Sequence, residues 1–354
     1  MSAPFKPQDS GVLPRLPFNR RTRSRLRRRD PRRLRTMAEA ARRLALDPLE
    51  PRILLNADVL AVDVALRDPD RHGTDMLVRM VEETEAAEDG GAVVQRVQVL
   101  DRAGGGLLAF GDLSEISAID VAGGGGDDSL TIDMASFGPA AAPDVTFDGG
   151  AGDDLLAMAG AGDMIWTIDA QDAGATTAGK AAIAFENVEN LEGAAGNEDE
   201  FVVVGDGGLS GLVEGGDGGF DVLTFEGGAH GTLRYDVDGP QSGTILRDDA
   251  ALDFSGFEPI DSEVDAASAV ITLGDADDAD ATLAWNGSGF SDQFRLFSPT
   301  ATFESIDFAP TDSISIFGGL GLDTITIASF DPDFAGTLDI AAENILISSG
   351  ATLG

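Results

Sequence analysis

The sequence predicts an all-β chain: an elongated right-handed parallel β-helix or β-solenoid, preceded by a disordered basic leader and a short helix. Three observations predict it. Glycine- and aspartate-rich turns run straight into short β-branched strands, as in GGGGDDSLTI (123–132) and GGLGLDTITI (318–327). These two stretches align at an offset of 195 residues through their glycine turns, and each leads into another strand, DVTF (144–147) or GTLDI (336–340). After Asp101 no apolar pattern of helical period and ordinary helix length occurs. Internal repetition of this kind marks a solenoid, whose coils bury their apolar faces only by stacking on one another. Gly123 to Gly149 is 26 residues and Gly193 to Gly216 is 23, each about one coil; 149 to 193 and 216 to 318 approximate two and four. An array of β-sandwiches is the alternative architecture.

Charge divides the 354 residues into two blocks. Residues 1–43 carry 14 Lys or Arg against 3 acids; the remainder carries 10 against 59, giving the net charge of −38. An acidic body of this kind repels nucleic acid and anionic lipid, attracts cations, and gains from divalent ions that relieve its self-repulsion. Calcium is the natural candidate. Cysteine is absent, which fits an exported bacterial repeat protein that does not depend on disulfides. There is no run of 18 apolar residues for a transmembrane span, and the N-terminus lacks the apolar core of a signal peptide.

In chain order, residues 1–35 form an arginine- and proline-rich leader expected to be disordered. The segment 36–58 follows, with a short helix at Thr36–Leu46, Thr36 as its N-cap and Pro48 as its stop, and then the decapeptide LEPRILLNAD (49–58). Residues 59–117 hold strands that start or cap the solenoid. Val59–Leu66 and Val93–Leu100 alternate as strands do, whereas Met76–Glu88, with apolar residues at 76, 77, 80 and 81, reads as a helix or a solvated loop. Residues 118–354 form the solenoid proper.

The candidate site lies in the turns. The pattern G-G-x-G-x-D-x-U-x, with U a large apolar residue, is that of the calcium-binding nonapeptide of RTX proteins. It is matched at Gly123–Leu130, Gly149–Leu156 and Gly318–Ile325, and at Gly216–Leu223 with Asp217 in place of the second glycine. GAAGNEDEF (193–201) is a looser match with an inserted acid. Glycines permit the positive φ of a tight turn, and the aspartates at 128, 154, 221 and 323 supply hard oxygen ligands suited to Ca²⁺. One nonapeptide offers only part of a six-to-eight oxygen shell, so Asp128, Asp154, Asp221 and Asp323 bind metal only if neighbouring turns stack. The residues leave two readings open, calcium sites or structural turns with solvated acids.

The decapeptide, through Leu49, Glu50, Pro51, Arg52, Leu54, Leu55, Ala57 and Asp58, resembles the LEPR-XLL segment of very large repetitive bacterial surface and secreted proteins; Asn56 departs from the expected serine. FENVENLEGAAGNEDEFVVVGDGGLSGLVEGGDGGFDVL (185–223) resembles a recurring unit of giant adhesins and haemolysin-like surface proteins, and 314–347 is similar to their AENI-containing coils. The resemblance covers about half the chain. It implies a non-enzymatic, filamentous protein, secreted or at the bacterial cell surface, of which this is the N-terminal part. The partners it implies are calcium ions and either cell-surface glycans or other surface proteins.

The contrasting function is an extracellular polysaccharide-acting β-helix enzyme, which needs paired carboxylates, a basic residue and an aromatic-lined cleft. Acids abound, but basic residues are sparse in the body, as at Lys180, Arg234, Arg247 and Arg295, and neither G-x-S-x-G nor H-E-x-x-H occurs. His230, beside Arg234 and Tyr235, is expected in a loop. A third reading is a module that folds only on meeting calcium outside the cell.

Overall fold

Alternation of inward apolar and outward polar residues at period two builds strands almost everywhere. The computed structural model describes residues 58–66, 73–84, 92–138, 142–274, 280–285, 293–349 and 351. The leader, the helix expected at Thr36–Leu46 and residues 49–57 of the decapeptide lie outside the described residues. Among those described, 25 strands accompany one four-residue helix, Met134–Phe137, so the chain is all-β as expected.

The strands stack into parallel ladders. In the first, Val59–Asp63, Ala118–Gly125, Asp144–Ala151 and Ala181–Glu186 lie side by side, with Ile119 against Val145 and Val145 against Ile183. A second runs from Asp75–Thr84 through Ser129–Asp133, Leu155–Ala159, Asn190–Glu192 and Leu212–Glu214 to Ala250–Ser255. A third runs from Ile165–Ala170 through Glu200–Val204, Val222–Gly239, Ile260–Thr272 and Pro310–Phe317 to Thr337–Ala341. The fourth comprises Asp280–Trp285, Thr324–Ile327 and Asn344–Ile347.

Stacking distances explain why the glycine turns are unevenly spaced. Ala118 pairs with Asp144 and Leu191 with Val213, 26 and 22 residues apart, where the connection is bare. Val145 pairs with Ile183 and Val213 with Phe254, 38 and 41 residues apart, because an antiparallel meander is inserted between them. Ile165–Ala170, Ala173–Ala178 and Ala181–Glu186 form one such meander, and Val222–Gly239, Ser242–Arg247 and Ala250–Ser255 another. The 44- and 102-residue intervals are therefore not two and four bare periods. Arg247 secures the second meander: its buried guanidinium donates to the carbonyl oxygens of Gly205 and Gly207 and lies over the Phe225 ring at 5.1 Å. Removal from water lowers its pKa.

Two local expectations are corrected. Met76–Glu88 is neither helix nor loop where described, since Asp75–Thr84 is a strand. Met76 and Val78 point inward at period two, and the strand is held on both sides, by Ser129–Asp133 and by Val93–Asp101. Pairing on both edges outweighs the helical spacing of 76, 77, 80 and 81. His230 lies within the strand Val222–Gly239, not in a loop.

Among the described residues the buried apolar side chains form one core cluster. Ile119, Val121, Val145, Phe147, Ile183 and Phe185 belong to it beneath the first ladder. Trp166 stacks on Phe201 at 5.2 Å, and Phe201 meets Phe257 edge-on at 5.3 Å. Each such fully buried side chain contributes about 1.5–3 kcal/mol before entropy is charged.

Candidate functional site

The glycine–aspartate turns stack corner on corner, and their carboxylates point inward. Asp128, Asp154, Asp221 and Asp323 are all buried, at 0–3 % exposure, so they are not solvated acids. The burial needs glycine. A Cβ on Gly149 would lie 2.7 Å from Asp154 Oδ2 and overlap the carbonyl oxygen of Asn187 in the next corner. The second glycine of each six-residue turn, Gly124, Gly150 or Gly319, holds φ between +96° and +99°, which L side chains rarely adopt.

Once inside, the carboxylates of Asp154 and Asp221 brace the neighbouring turn. The Asp128 backbone N–H donates to Asp154 Oδ1 at 2.6 Å, and the Asp154 N–H donates to Glu189 Oε2 at 2.8 Å. Leu155 N–H returns to the Asp128 carbonyl, and Asn190 N–H to that of Asp154. A second column repeats this, with the Asp199 N–H donating to Asp221 Oδ1 at 2.8 Å. Asp199 in turn accepts from the N–H groups of Met164 and Ala194 and from the Asn197 amide. In a third, the Asp323 N–H donates to Glu343 Oε2 at 3.1 Å. Charge-assisted bonds of this kind are about twice as strong as neutral ones.

The structure thus brings Asp128 together with Asp154, and places Asp221 and Asp323 in two other columns. It adds three residues that sequence reasoning did not assign: Asp199, Glu189 and Glu343. Asp199 was masked by frame. Gly193 stacks on Gly215 and Ala194 on Gly216, so both turns carry seven residues from first glycine to aspartate, and Gly216 rather than Asp217 is the second glycine. Glu189 and Glu343 each precede an asparagine that opens a strand, Asn190 or Asn344, in corners without the glycine pattern. The longer side chain reaches the same N–H from there. The Glu-Asn pair was the legible signal.

Packing carboxylates into a column shifts their protonation. Burial pushes Asp154 up to about 6, with the charges of Glu189, Asp128 and Asp127 adding and the Asp128 N–H opposing. Burial likewise pushes Asp199 up to about 6, and raises Asp221, each helped by neighbouring acids. A raised carboxyl pKa means that the folded chain binds more protons than the unfolded one between about pH 4 and 6. Stability is then greatest at the acid side of that window and falls as pH rises through it. The thermal midpoint, followed by circular dichroism, should be higher at pH 4.5 than at pH 7, and the difference should shrink in the Asp154→Asn/Asp199→Asn double variant. A midpoint that climbs with pH across this range would contradict the assignment.

As a metal centre the corners offer the right kind of donor. Asp154 Oδ2 is buried without a hydrogen-bond partner among the described residues, a hard oxygen that a proton or a cation would satisfy. Among the described residues, however, no three His, Cys, Asp or Glu side chains converge on one point, so a cation there would draw further oxygens from the backbone or water.

The residues singled out for other chemistry diverge. His230 Nδ1 lies 3.4 Å from Asp248 Oδ2, Arg234 pairs with Asp236 on the surface, and Tyr235 is buried with its hydroxyl donating to the Glu304 carbonyl. Burial raises the Tyr235 pKa. Arg295 forms a two-pronged pair with Asp307. Among the described residues no helix is long and apolar enough to cross a membrane. Comparison with protein-family models, curated proteins and solved structures finds no match for this chain.

Proposed function

We propose that the chain is an elongated right-handed parallel β-solenoid serving as a non-enzymatic scaffold, the N-terminal part of a large repetitive bacterial protein that is secreted or displayed at the cell surface. The observation that carries this reading is the bracing of stacked corners in three columns, in which the carboxylates of Asp154, Glu189, Asp221 and Glu343 each accept a backbone N–H of the neighbouring turn. Such columns suit a rod under load. The family resemblance of the LEPRILLNAD and 185–223 stretches supports export. The uncommitted Asp154 oxygen favours calcium as the ion these corners take, as an addition to an already braced fold.

The measurement that separates these parts is circular dichroism in chelator and in millimolar calcium, with small-angle scattering for shape. The β signal should be present in chelator, the scattering should be that of a rod, and calcium should raise the thermal midpoint in the natural chain more than in Asp154→Asn. A globular scattering profile would overturn the solenoid. An identical midpoint with and without calcium would remove the metal from the account. Antibody labelling confined to the interior of lysed cells would overturn surface display.

A further inference from the structure

The two ends of the described stack differ. At the first end, the strands Val93–Asp101 and Gly106–Asp112 fold back over the start of the ladders, and Leu60, Val62, Val97, Val99 and Ala109 are all buried. Among the described residues the far end has no such cover. There the third and fourth ladders finish on Thr337–Ala341 and Asn344–Ile347, each paired along one edge only among the described strands.

Register shows what that end lacks. Ile314 and Ile316 pair with Leu338 and Ile340, and Ile325 and Ile327 pair with Ile345 and Ile347. The four isoleucines of the inner layer are at most 2 % exposed. Their counterparts one layer out repeat the same apolar positions, yet Ile345 is 46 % and Ile347 56 % exposed, and Leu338 and Ile340 are only partly covered. A terminal repeat built to face water carries a polar outer face; this one carries the face of an interior layer, with two unpaired strand edges beside it.

We infer that Thr337–Ile347 is an acceptor end, onto which one further strand–turn–strand coil, carried downstream on the same polypeptide of a longer protein, continues both parallel ladders. The inference rests on the solenoid reading above. Its coil would place alternate Leu, Ile or Val residues over Leu338, Ile340, Ile345 and Ile347, and would supply backbone partners to both edges. A second copy of this chain fits less well. Head-to-tail stacking meets the covered first end. Tail-to-tail stacking brings Asp331, Asp333, Asp339 and Glu343 against their own duplicates, with no Lys or Arg after Arg295 to offset them.

The test is the full chain in which residues 328–349 are duplicated in tandem, compared with the unextended chain by amide hydrogen exchange and light scattering. In the extended chain, exchange at 338–340 and 345–347 of the original copy should slow at least about tenfold, while the protein stays monomeric. A control duplication with aspartate at the four apolar positions of the added copy should give no slowing. Unchanged exchange at 338–347 with residues 313–327 still protected would overturn the acceptor end and leave the solenoid standing. Rapid exchange at 313–327 in the unextended chain would overturn the solenoid itself. A dimer of the unextended chain that already protects 345–347 would overturn the inference in favour of self-association.

Discussion

Gly149→Ala is expected to lower stability by about 3 kcal/mol or more, enough to lose the cooperative transition or shift it far down in temperature. The added methyl would overlap the Asn187 carbonyl oxygen and press on Asp154 Oδ2, and the obstacle is the backbone of the adjoining corner, which cannot rotate away. Gly149 does not hold a positive φ, so the effect is steric and not conformational. Gly125→Ala supplies the contrast. It lies in the preceding turn, also without a positive φ, and a Cβ there meets nothing within 4 Å. Its thermal midpoint should match that of the natural chain or rise slightly. Equal midpoints for the two variants, by circular dichroism or calorimetry, would show that the corners are not close-packed.

Asp154→Ala should cost about 1–3 kcal/mol, with a further penalty for the space vacated over Gly149. The substitution leaves the Asp128 N–H buried without its acceptor. Asp154→Asn keeps an oxygen at that position and removes the charge that burial and the neighbouring acids disfavour. At neutral pH the asparagine variant should therefore be far closer to the natural chain than the alanine variant, and less dependent on pH. The ordering separates a brace from a metal ligand. If the asparagine variant is as damaged as the alanine variant in chelator, the brace account fails, since an amide oxygen still gives that buried N–H an acceptor, which alanine does not.

Both predictions concern features that were partly legible in the residues. Glycine repeats named the corners, and period-two alternation named most strands, because each depends on backbone conformation and side-chain polarity at neighbouring positions. The 26-residue period between Gly123 and Gly149 was readable for the same reason: the connection between them is bare. Expanded periods were not readable, because an inserted meander such as Ala173–Ala178 looks locally like any other strand. Asp75–Thr84 escaped because pairing on two edges, and not its own pattern, makes it a strand.

What the sequence by itself determined is an acidic, cysteine-free, all-β chain with glycine–aspartate corners at 123, 149 and 318. Only the tertiary structure decided what those aspartates touch. A carboxylate on a tight turn can face solvent, a cation or the next layer, and local residues do not distinguish these. Register does: stacking Ala118 on Asp144 sets the Asp128 amide opposite Asp154, and stacking Leu191 on Val213 sets Asp199 opposite Asp221. Stacking also admits Glu189 and Glu343, which share no motif with the glycine turns, because an amide in need of an acceptor selects for reach and position and not for sequence pattern.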